Sequence, residues 1–137
     1  MAVDIITNKI TCSGALFFSK QTARILLLQK AYGKHCGTWG LVGGSSMEDE
    51  NPWQCLNREI NEEIGFQPDI IKTIPLETFV SNDSVFCFHT YLCIIENEFI
   101  PLLSKEHDGW AWARIDSCPK PLHKGCLLYT SDAADDT

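Results

Sequence analysis

Gly44-Ser45-Ser46-Met47-Glu48-Asp49-Glu50-Asn51-Pro52-Trp53-Gln54-Cys55-Leu56-Asn57-Arg58-Glu59-Ile60-Asn61-Glu62-Glu63-Ile64-Gly65-Phe66 is the stretch that decides the fold. It carries its own boundaries. Asn51 is a good N-cap, Pro52 suits the first helical position, and Gln54 completes a capping pair with Asn51. Gly65 is a natural helix stop. A helix over roughly 52–64 follows. Trp53, Leu56, Ile60 and Ile64 recur at helical spacing and define its apolar side. Glu59, Glu62 and Glu63, spaced i, i+3 and i+4, share an adjacent side.

Like charges so placed repel one another. A run of glutamates on an exposed helix is ordinarily a solvated face. This run follows a paired-glycine loop, Leu41-Val42-Gly43-Gly44, in which the backbone can turn tightly and approach a ligand closely. A divalent cation would offset the repulsion, and hard carboxylate oxygens suit Mg²⁺ or Mn²⁺.

The pattern Gly44, five residues, Glu50, seven residues, Arg58-Glu59-Ile60-Asn61-Glu62-Glu63-Ile64-Gly65-Phe66 resembles the signature box of the Nudix hydrolases without gap or mismatch. At ordinary residue usage, its seven identities match by chance about once in 10⁸–10⁹ windows. The resemblance implies an α/β fold, a Nudix-type α/β/α sandwich with a mixed β-sheet. It implies metal ligands at Glu59, Glu62 and Glu63, with the Gly43 carbonyl joining them. Glu50 and Arg58 would stand behind these, Arg58 holding Glu50 and orienting Glu59. The family usually has a proline where this chain has Val42, a departure that leaves the acidic residues untouched.

The activity implied is Mg²⁺-dependent cleavage of the diphosphate bond in a nucleoside diphosphate linked to another moiety. The general base varies in the family, and Glu59 and Glu106 are the two candidates. Lys30, at the end of a strand, is a candidate phosphate contact. Trp39, Gly44, Phe79 and Phe86 are candidate substrate contacts, with Trp110 a further candidate wall. Two other classes share the fold: a non-catalytic nucleotide-binding module, which usually loses box glutamates that this chain keeps, and an isopentenyl-diphosphate isomerase. The isomerase tends to be longer and needs a catalytic cysteine, and none of the seven here stands out.

The rest of the chain is consistent with one domain. The 137 residues, 45% of them hydrophobic, suffice for a single core. No apolar run reaches the length of a membrane span, and Met1-Ala2-Val3-Asp4 lacks the basic start of a secretion signal, so a cytoplasmic protein is expected. Seven scattered cysteines read as reduced thiols. Neither His35-Cys36 nor Cys87-Phe88-His89 has zinc-ligand spacing. Cys87 and His89 share one side of a strand. The net charge of −7 is concentrated in the box. An acidic chain without a basic stripe is a poor grip for long nucleic acid, whereas a small nucleotide arriving with metal ions is compatible.

Strands are expected over 10–18, 24–30, 69–81, 84–95 and 109–113, with Asn82-Asp83 as a hairpin turn and 31–40 as a loop. Gly37 to Gly40 and the Glu106-His107 pair are also family-like. Residues 126–137 resemble a translated sequencing adapter. The domain is therefore expected over residues 1–125, with 126–137 a non-native tail and the family's closing C-terminal helix missing.

Overall fold

The computed structural model describes residues 9–123. Its strands are β1 (Ile10–Ser19), β2 (Ile25–Lys30), β3 (Trp39–Gly40), β4 (Val42–Ser45), β5 (Ile70–Val80), β6 (Phe86–Ile95) and β7 (His107–Ala113). Among the described residues the single helix is α1 (Pro52–Ile64). Its ends are those the sequence specifies. The Gln54 N–H donates to Asn51 Oδ1 at 2.8 Å and the Asn51 N–H to Gln54 Oε1 at 3.0 Å. Gly65 closes the helix at φ 89°, in the left-handed region that favours glycine.

The sheet is mixed. Its main order is β3-β2-β1-β6-β5, with β4 also paired to β1 and β7 to β2. β1 and β6 run parallel over their whole length, from Ile10↔Phe86 to Ser19↔Ile95. The other pairings are antiparallel. β1 therefore diverges along its length: Cys12 to Ala15 pair with β4, while Phe18 pairs with Ile25 of β2. That split leaves β4 and the start of α1 at one end of the sheet.

Alternation along β1 assigns its two faces. Ala15 and Phe17 pack with Leu56, Ile60 and Ile64 of α1 in the larger core. Leu16 packs on the other face with Ile25 and Leu27, under Trp39, Leu41 and Leu122. Gly14, on that second face, lies under an aromatic ring: a side chain there would meet the Phe88 ring at 3.0 Å.

Three expectations change. Trp53 is not on the buried side of α1; it is 49% exposed and meets Tyr91 edge-on, ring centroids 6.3 Å apart. It stands on the first turn, and Cys55, wholly buried, takes the core position instead. The 31–40 loop ends in β3, which Leu28 and Gln29 pair into the sheet. The last strand begins at His107, two residues earlier than expected, because Lys30 extends the β2 pairing across a bulge. The 126–137 tail and the missing C-terminal helix concern residues outside those described.

Candidate metal centre

The helix and the glycine loop meet face to face. The Gly43 N–H donates to Glu63 Oε1 at 2.9 Å. A Cβ on Gly44 would fall 2.6–2.8 Å from the carboxyl atoms of Glu59, so the glycine makes the space that Glu59 occupies. A Cβ on Gly43 would stand 2.2 Å from the Ser13 carbonyl oxygen. Both glycines are thus demanded by close approach, one to a carboxylate and one to the neighbouring strand. Two side chains fasten the unit. Ser13 Oγ donates to the Pro52 carbonyl at 3.1 Å, and Cys55 Sγ to the Gly44 carbonyl at 3.4 Å.

Arg58 organises the acidic side. Its Nε and Nη2 donate to the two oxygens of Glu50 at 2.6 and 2.9 Å. Nη1 reaches Glu59 Oε2 at 3.0 Å and both oxygens of Glu62 at 3.0 and 3.2 Å, while Nη2 also donates to the Ser45 carbonyl at 2.9 Å. A lysine could not span these acceptors, because the planar fork supplies several fixed donors. The Arg58 guanidinium and the Met47 N–H hold the Glu50 carboxyl below the usual range. The surrounding carboxylates keep Arg58 firmly protonated.

Glu59 and Glu63 are the unusual pair. Their residues are 7% and 3% exposed, against 46% for the Glu62 side chain, so the three glutamates are not equivalent. Burial pushes the Glu63 carboxyl up to about 9, the Gly43 N–H opposes this, and the charges of Glu59 and Glu106 add to the rise. Burial likewise raises Glu59, with Arg58 opposing it. The two carboxyls interact, and the charge of each disfavours ionisation of the other.

Glu106 is exposed, immediately before β7, and its charge is felt at Glu63. Its carbonyl accepts from the Ala31 N–H at 2.8 Å, and Lys30 pairs with His107 beside it. Burial lowers the basicity of His107, and its Nδ1 has no hydrogen-bond partner among the described residues. Trp39 is part-buried and ties residues 121–123 to the sheet: its backbone N–H donates to the Pro121 carbonyl, and its carbonyl accepts from the His123 N–H. Phe79 and Phe86 meet each other across β5 and β6, ring centroids 6.3 Å apart. Phe86 leads to Phe88, whose ring covers Gly14, the strand partner of Gly43. A groove of about 250 Å³ at Phe66, Asp69 and Phe99 is lined by none of these residues.

Among the described residues, no three acidic, histidine or cysteine side chains form a ready cage for a metal ion. Glu62 is held by Arg58, while Glu59 and Glu63 are buried against the glycine loop. The donor set nevertheless fits a hard divalent ion, because two buried carboxylates can both ionise only when positive charge enters. Recruiting Glu62 requires it to exchange Arg58 for that ion. Ser13 and Cys55 were not identified by the sequence reading. Their only signal was a small polar residue at a position that strand or helix periodicity assigns to the core.

A NUDIX domain family model matches residues 10–127. The chain belongs to the Nudix family. It is 30% identical over 112 residues to the dihydroneopterin triphosphate diphosphatase of Haemophilus influenzae, covering 71% of this chain and 69% of that protein. It is 28% identical over 128 residues to the m7GpppN-mRNA hydrolase of Saccharomyces cerevisiae. That match takes in 89% of this chain but spans only 12% of the yeast protein. The crystal structure of a MutT Nudix hydrolase from Burkholderia pseudomallei superposes with a TM-score of 0.68 at 21% identity, covering 90% of this chain and 96% of that one.

Proposed function

We propose that this protein is a divalent-metal-dependent pyrophosphohydrolase of small nucleotides, splitting a nucleoside diphosphate linked to another group. The observation that carries this reading is the buried Glu59–Glu63 pair set against the side-chain-free surface of Gly43 and Gly44. Glu59, Glu62 and Glu63, with the Gly43 carbonyl, would hold Mg²⁺ or Mn²⁺. When bound, such an ion neutralises phosphate oxygens and makes water a stronger nucleophile at neutral pH.

The chain's own residues do the rest. Arg58, locked to Glu50, holds Glu59 at a fixed angle. Lys30 offers a positive charge to a phosphate near Glu106. Glu106, exposed and near the carboxylate pair, can take a proton from water; Glu59 is the other candidate for that step. Phe79, Phe86 and Trp39 offer aromatic surface to a base. The named relatives act on a pterin triphosphate and on capped mRNA; the shared element is a phosphoric anhydride, so the substrate class is drawn at that level.

The test is a panel of nucleoside polyphosphates and diphosphate-linked nucleotides incubated with Mg²⁺. A nucleoside monophosphate plus pyrophosphate or a phosphorylated partner is expected. Hydrolysis in ¹⁸O-water should place the label on a phosphate; label found only on carbon would overturn attack at phosphorus.

A further inference from the structure

The Gly43–Gly44 dipeptide is held from the helix at both ends. The N–H of Gly43 donates to Glu63, and the carbonyl of Gly44 accepts from Cys55. Cys55 and Glu63 lie eight residues apart, about two turns, on the same buried side of α1. Glu59 lies between them, its carboxyl in the space that a Gly44 side chain would fill. The Gly43 carbonyl and the Gly44 N–H belong to the peptide between the two tethers. Together with the pairing of Ser13 and Gly14 to this dipeptide, the two tethers hold the plane of that peptide.

Cys55 is more than a space filler. It is wholly buried, and its S–H is the donor that meets the Gly44 carbonyl. An apolar side chain of equal size would remove one hydrogen-bond donor from that part-buried carbonyl, which costs free energy and loosens the peptide. Its own N–H is committed to the Asn51 carbonyl within the helix.

We propose that Cys55 is a positioning residue of the metal centre: its thiol sets the Gly43–Gly44 peptide, and through it the direction of the Gly43 carbonyl and the seat of Glu59. This rests on the proposed reading that a divalent cation binds there. The residue touches neither substrate nor cation.

Cys55→Ala and Cys55→Ser separate donor from volume, since the two replacements differ by one hydroxyl. Two quantities are measured: Mn²⁺ affinity of the whole chain without substrate, and amide hydrogen exchange of the Gly43–Ser45 segment without metal. The alanine variant should bind Mn²⁺ roughly tenfold more weakly, the lower end for loss of a residue supporting a metal ligand. It should also exchange faster at the loop. The serine variant should stay within about twofold of the parent in affinity, because its hydroxyl restores a donor. Equal weakening in both variants, or no change in either, would show that the thiol only fills space and overturn the proposal. If the parent chain binds no Mn²⁺, the metal reading falls, and the exchange data still decide the tether: faster loop exchange in alanine but not serine upholds it, and unchanged exchange removes it.

Discussion

At the scale of single residues, the three box glutamates have different environments and should fail differently. Glu63→Gln keeps the acceptor for the Gly43 N–H but removes a charge, so it should abolish most turnover while the fold persists; circular dichroism and nucleotide hydrolysis measured together check this. Glu59→Gln should weaken metal binding as well as turnover. Glu106→Gln, if Glu106 takes the proton, should leave metal affinity intact and lower kcat by roughly 10²–10⁴-fold, the usual worth of general-base catalysis. A kcat within about twofold of the parent would assign that step to Glu59 instead. Gly44→Ala puts a methyl group into the carboxyl of Glu59. It should raise the Mg²⁺ concentration needed for half-maximal rate, read from a metal titration.

At the scale of elements, the helix is self-specifying and the loop depends on the strand it meets. Asn51→Ala removes one half of the capping box and should cost about 1 kcal/mol, visible as a lower Tm. The bounds of α1 were legible because Asn51, Pro52, Gln54 and Gly65 act locally. The strands β1, β2, β5 and β6 were legible within two residues, because alternation and turn residues are also local signals. Two kinds of fact were not. The exposure of Trp53 depends on which helix positions the sheet covers, which periodicity does not encode. The division of Glu59 and Glu63 from Glu62 depends on which carboxyls Gly43 and Gly44 of β4 cover. Ser13 and Cys55 were invisible for the same reason: each acts on a backbone carbonyl 39 or 11 residues away.

At the scale of the whole molecule, stability and metal binding are linked through the raised Glu63 carboxyl. The Glu63 carboxyl is raised from 4.5 to about 9, so the folded chain holds a proton that the unfolded chain has lost across that window. The stabilisation is full below the lower value and disappears as pH rises through the upper one. Metal-free protein should therefore lose Tm between about pH 5 and pH 9, and Mg²⁺ should restore more of it at the alkaline end. No helix among the described residues is long and apolar enough to cross a membrane. The most direct test of the central claim is nucleotide hydrolysis by the parent chain and Glu63→Gln, each followed across a Mg²⁺ titration with and without excess EDTA. The account predicts turnover that rises with Mg²⁺, vanishes on chelation and is largely lost in the variant. Full turnover in EDTA, or a variant as active as its parent, would contradict it.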